Sequence, residues 1–163
     1  MKDFEKSMDP KNLTLVGAPV FTCKEKIKGQ EREAKLCENI EEAIRRAGLK
    51  SGMTISFHHA FRGGDLIINT VLDIIARMGF KDLTLASSSL ASVHDAVIEH
   101  IKSGVITQIY TSGLRSKLGE AISKGLMEKP VQIHSHDGRV HLLQSGELKI
   151  DVAFLGVPVS DKF

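Results

Sequence analysis

Five short apolar runs, separated by stretches with helical spacing, constrain this chain more than any other feature. The runs lie at about 53–57, 83–86, 105–110, 131–134 and 150–157. Between them, apolar residues recur at three- and four-residue steps. Ile67, Ile68, Val71, Leu72, Ile74 and Ile75 form one such stripe, with Asp65 as its expected N-cap. Val93, Val97, Ile98 and Ile101 form a second, over 91–102, and helices are expected at 116–123 and 139–145. An earlier stripe, from about Glu31, carries Leu36, Ile40, Ala43, Ile44 and Ala47. Gly48, Gly79 and Gly104 follow three of these stretches as helix stops. Strands alternating with helices dictate βαβ units. The expected fold is α/β, an open, mostly parallel sheet with right-handed crossovers and helices on both faces. Residues 1–30 lack periodicity and read as an arm, with a short strand near 13–16. The α/β domain is expected over 31–163.

In such a sheet, ligands bind beyond the carboxyl ends of the strands. Four polar loops follow strands here: HHAFRGG at 58–64, SSS at 87–89, TSG at 111–113 and HSHDG at 134–138. All four are expected on one edge. In the first loop, Gly63 and Gly64 bring backbone N–H groups close to a ligand, and the helix opening at Asp65 adds a positive dipole end. Such a turn suits a phosphate, a carboxylate or an acyl oxyanion. Arg62 suits a carboxylate, and His58 and His59 can orient or protonate. The plainer reading is a tight strand-to-helix turn. Ser87, Ser88, Ser89, Thr111, Ser112 and Gly113 are candidate ligand contacts, although helix capping alone also accounts for hydroxyls there. His134 and His136, two apart in an expected strand, share a face, but a metal needs a third ligand and none stands nearby. No metal is expected. His94, His100 and His141 read as surface or boundary residues, and the basic residues of 24–50 as a solvated face.

Other classes are disfavoured. Neither G-x-G-x-x-G nor G-x-x-x-x-G-K-[ST] occurs, nor G-x-S-x-G, nor H-E-x-x-H. A formal net charge of +2 and a chain with seven Phe, one Tyr and no Trp disfavour nucleic acid as a partner. Two cysteines, Cys23 and Cys37, make no disulfide framework. With no apolar leader and no run near the ~20 residues that span a bilayer, the expected place is the cytoplasm, away from membranes. The Asn12-Leu13-Thr14 sequon is then fortuitous.

Five segments taken together resemble the citrate lyase alpha chain, the citrate CoA-transferase subunit. They are GMTISFHHAFRGGD (52–65), DLTLASSSL (82–90), QIYTSGLR (108–115), PVQIHSH (130–136) and SGELKIDVAFLGVP (145–158). The resemblance implies a CoA-transferase-like, ribose-phosphate isomerase-like fold. It also implies a reaction in which citrate replaces acetate on a thioester, the first step of citrate cleavage to acetate and oxaloacetate. The implied partners are citrate, an acetyl thioester, the lyase beta subunit and the acyl carrier gamma subunit. That carrier presents a CoA-like phosphoribosyl-dephospho-CoA group, so no cofactor is expected on this chain itself. Gly63 and Gly64 would then stabilise the thioester oxyanion, with His58 and His59 as further donors and Arg62 as counter-charge for citrate.

The family chain is much longer, and Phe163 falls near the end of its first third. The resemblance therefore implies an amino-terminal portion, incomplete at its carboxyl end, with apolar surface left exposed. Alternatives are an inactive or split fragment needing its missing half, and a sugar-phosphate-sensing module of the same superfamily. The arm shows no helix-turn-helix for such a sensor.

Overall fold

The computed structural model describes residues 36–59 and 66–156. A unit boundary falls between Leu36 and Cys37, and the fold below is that of the unit beginning at Cys37. The arm at 1–30 with its expected strand, the loop residues 60–65 with the Asp65 cap, and residues 157–163 lie outside the described residues.

Helix α1 (Ile40–Arg46) opens on Asn39, whose Oδ1 accepts from the Glu42 N–H at 2.9 Å. Gly48, at φ +71°, turns the chain out of it. Then follow β1 (Thr54–His59), α2 (Ile67–Arg77), β2 (Leu83–Ser87), a 3₁₀ turn (Ser92–His94), α3 (Val97–Lys102), β3 (Ile106–Thr111), α4 (Ser116–Ser123), β4 (Gln132–Ile133), α5 (His136–Ser145) and β5 (Val152–Gly156). The described strands form one sheet in the order β4-β3-β2-β1-β5, with every pairing parallel. The α/β alternation read from the sequence is thus the observed architecture. The chain steps outward from β1 to β4, and α5 then carries it back to set β5 against the other side of β1. Strand order reverses between β1 and β5, which makes their carboxyl ends the switch point.

Register sorts the side chains by face. Ile55, Phe57, Leu85, Ile109, Val152 and Phe154 fall on one face through the pairs Ile55↔Leu85, Leu85↔Ile109, Ile55↔Val152 and Phe57↔Phe154. They pack with Ile44 of α1, Ile68, Val71, Leu72 and Ile75 of α2, Val97 and Ile101 of α3, and Leu118 of α4. Most of these are fully buried, and each such side chain contributes about 1.5–3 kcal/mol of transfer free energy. The opposite face carries Ser56, His58, Ala86 and Tyr110, and α5 lies over it, reaching Ser56 through Arg139. No α5 residue is buried, and Val140, Leu143 and Leu155 stay exposed.

Several local expectations are corrected. His58 and His59 belong to strand β1, not to the loop, because they pair with Leu155 and Gly156 of β5. The helix expected over 91–102 is broken into the 3₁₀ turn and α3. The His94 ring caps the start of the first turn, accepting from the Ala91 N–H through Nδ1 at 3.1 Å. His94 and His100 are buried, not peripheral; His100 Nε2 lies 3.1 Å from Asp73 Oδ1, joining α3 to α2. The fourth strand is only two residues long, so His134 and His136 do not share a strand face. His136 instead opens α5, three residues before the expected start, because Ser135 Oγ accepts from the Gly138 N–H at 2.9 Å.

Asp151 pins the start of β5 to that of β1. Its N–H donates to Thr54 O at 3.0 Å, and its Oδ2 accepts from the Thr54 N–H at 2.9 Å. That second bond holds the carboxyl below its ordinary value; burial opposes it, and Lys149 Nζ at 3.2 Å adds to it. A depressed folded value gives stability that is complete above the unfolded carboxylate range and is lost as pH falls through the folded value. D151A is therefore expected to lower the urea midpoint at pH 7, and the gap from the parent should narrow as pH falls through the depressed value of the folded carboxyl. A gap independent of pH would show that the ionised carboxylate is not what the strand uses.

Candidate functional site

The loops after β2 and β3 are joined by backbone hydrogen bonds. The Ser112 N–H donates to Ser88 O at 3.1 Å, Leu90 N–H to Gly113 O at 2.9 Å, and Arg115 N–H to Leu90 O at 3.1 Å. Leu90 and Leu114 form a parallel bridge beyond the named strands. From the next loop, the His134 N–H donates to Thr111 O at 3.1 Å, and His136 Nδ1 stands 3.4 Å from Ser112 Oγ. The serine, Thr-Ser-Gly and His-Ser-His loops therefore share one edge of the sheet. The described part of the HHAFRGG segment ends there too, at His59 on β1.

Within these loops the candidates differ in role. Ser87 and Thr111 are fully buried. Their hydroxyls donate to Ser89 O and Gly113 O, both at 3.2 Å, so each shapes the turn two residues on. Ser88, Ser112 and Gly113 are half-buried, Ser89 and His58 exposed, and these five are open to a ligand. Arg62, Gly63 and Gly64 lie outside the described residues. His134 sits beside Tyr110, ring centroids 6.5 Å apart, with its Nδ1 3.1 Å from Ser135 O.

Reading the sequence missed Arg139. Its side chain runs from the first turn of α5 onto the second sheet face, where Nη2 donates to Ser56 Oγ at 2.8 Å and to Ala86 O at 3.3 Å. Burial pulls its pKa below the ordinary guanidinium value. The available signal was an arginine five residues after His134, one turn into a helix following a strand. Recognising it required knowing that this helix crosses back over β1 and β2.

Among the described residues, no group of three or more His, Cys, Asp or Glu is arranged to hold a metal ion. Among them, too, no helix is long and apolar enough to cross a membrane. The edge offers hydroxyls, backbone donors, imidazoles and a guanidinium. That set can bind an anion and stabilise a developing oxyanion.

A family model described as "Citrate lyase, alpha subunit" matches residues 33–163. The citrate lyase alpha chain of Escherichia coli (strain K12) is 70% identical over 132 residues, which are 81% of this chain and 26% of that one. That of Klebsiella pneumoniae is 69% identical over 134 residues, 82% of this chain and 26% of that one. A crystal structure described as the alpha subunit of citrate lyase from Streptococcus mutans in complex with citrate superimposes with a TM-score of 0.76 at 54% identity. It covers 82% of this chain and 26% of the other. The chain thus spans about a quarter of the length of the curated relatives it matches.

Proposed function

The chain belongs to the citrate lyase alpha-subunit family, and we propose that the carboxyl edge of its sheet is where citrate replaces acetate on a thioester. The observation that carries this reading is the gathering of the polar loops on the carboxyl edge of the sheet, beside the β1/β5 switch point. The citrate complex of the Streptococcus mutans relative supports the choice of substrate.

The chemistry proceeds as an exchange. A citrate carboxylate attacks the acetyl carbonyl of the thioester, giving a mixed anhydride and a thiolate. The thiolate then attacks the citryl carbonyl of that anhydride, releasing acetate and leaving a citryl thioester. Both additions place negative charge on a carbonyl oxygen. Backbone donors at Gly63 and Gly64 are suited to hold it, each such donor being worth about 2.7–4 kcal/mol in acyl-transfer sites. His58 and His59 are further candidate donors, and Arg62 offers charge to citrate. Ser88, Ser89, Ser112 and Gly113 border the same edge, while Ser87 and Thr111 shape its turns. In this reading the thioester is a CoA-like group on an acyl carrier subunit, and a lyase subunit cleaves the citryl product.

The test mixes the purified chain with acetyl-CoA and citrate and follows acetate. Release that depends on citrate is expected. R62A should raise the citrate KM at least tenfold, the order expected for losing a charge-assisted bond, with an unchanged circular dichroism spectrum. Acetate release independent of citrate would overturn the reading. A second reading, a half-site completed by further chain, is favoured by the 26% span and by the exposed Ile133 and Leu155. It is distinguished by a folded chain that gains citrate-dependent release only when the remainder of a relative's subunit is added.

A further inference from the structure

Arg139 is held where an arginine alone is unfavourable. Both acceptors of its Nη2 are neutral: a serine hydroxyl and a main-chain carbonyl. Its Nη1 is enclosed and has no hydrogen-bond partner, and among the described residues it forms no ion pair. Withdrawing a charged group from water costs several kcal/mol unless an opposite charge or a full set of hydrogen bonds offsets it. The free edge of this guanidinium therefore lacks an anion.

The surroundings indicate which kind. Ser56 is 7% exposed, and its oxygen accepts from Arg139, leaving its own proton to donate. Nη1–H and the Ser56 hydroxyl proton are both left to donate, and two such donors suit the two oxygens of a carboxylate. Two nearby α5 amides are engaged: Gly138 N–H by Ser135 Oγ and Arg139 N–H by Ser135 O at 3.0 Å. Ser56 also lies two residues before His58 on the same strand face, towards the carboxyl edge and the switch point.

We propose that Arg139, seated on Ser56, binds a carboxylate of the citrate acceptor. This deepens the functional reading above and rests on it, but it assigns the counter-charge to a residue outside the glycine loop.

The test uses the 163-residue chain with citrate as probe. Direct titration by calorimetry is expected to show citrate binding that weakens about thirtyfold in R139Q, with R139K recovering part of the loss. In acetate release, R139Q should raise the citrate KM and leave the acetyl-CoA KM unchanged, a split that general loosening of the fold would not produce. Citrate binding of equal strength in R139Q overturns the inference and leaves the functional reading standing. A rise in the acetyl-CoA KM alone also overturns it, assigning the guanidinium to a phosphate of the thioester. Absence of citrate binding to the parent chain overturns both. If R139Q does not fold, the Arg139 Nε–H resonance of the ¹⁵N-labelled parent decides. A shift on adding citrate supports the proposal, and an unmoved resonance sinks it.

Discussion

Phe57→Ala is expected to lower the unfolding free energy by about 3–5 kcal/mol. Phe57 is 1% exposed and lies directly opposite Phe154 across the β1–β5 pairing. The rings stack at 5.1 Å between centroids with 16° between planes. The substitution removes the transfer free energy of the ring and leaves a cavity between two strands and the helices beneath. It also removes the aromatic pair, worth about 0.5–1.5 kcal/mol beyond burial. Domains of this size are stable by about 5–15 kcal/mol, so most of the margin is at stake. The effect has a direction in the fold. β5 is an edge strand whose ladder partner is β1, so its amides should exchange first. F154A, at a site only half-buried, should cost less than F57A. Equal costs, or a loss under about 1 kcal/mol for F57A, would show that the β1–β5 seam is not packed as described.

Asp95→Ala is expected to cost about 2–3 kcal/mol. Asp95 follows the 3₁₀ turn, yet its carboxylate serves a helix 21 residues on: Oδ2 accepts from Ser116 Oγ at 3.0 Å and Oδ1 from the Leu118 N–H at 3.1 Å. Arg115, in the cap position of α4, makes no side-chain cap bond. Ser116 sits at φ +61°, where a residue with a Cβ is strained. The Asp95 carboxylate holds that conformation and satisfies an orphan amide of the helix terminus. The Thr-Ser-Gly loop leads directly into this cap, so the same change should loosen the candidate site. Urea unfolding would give the loss as a lower midpoint at unchanged slope. D95N, which keeps one acceptor for the amide, should recover about half. A D95A midpoint equal to that of the parent would show that α4 does not use this cap.

Much of the fold was legible because hydrophobic spacing maps directly onto faces. The stripe from Ile67 to Ile75 became the buried face of α2, and Ile55, Leu85 and Ile109 became the inner face of the sheet. What spacing concealed was partnership between distant segments. His58 and His59 read as loop because they are polar, whereas pairing with β5 makes them strand. His94 and His100 read as peripheral for the same reason. The first is buried by a cap bond to its own turn and the second by a carboxylate on another helix. The site divided along the same line. That the serine and Thr-Ser-Gly loops follow strands could be read directly, and from it their common edge. That Ser87 and Thr111 turn their hydroxyls inward could not, because orientation depends on register and on the turn closed two residues later.

The sequence by itself determined the α/β class and the carboxyl edge as the place for chemistry, because periodicity, glycine stops and crossover handedness are local rules. Only the tertiary structure decided the strand order, with β5 returning beside β1. That return draws α5 back across the second face and sets Arg139 on Ser56, 83 residues earlier in the chain. No spacing along the chain encodes such a contact, because it arises when the sheet closes its order and not when any single element forms.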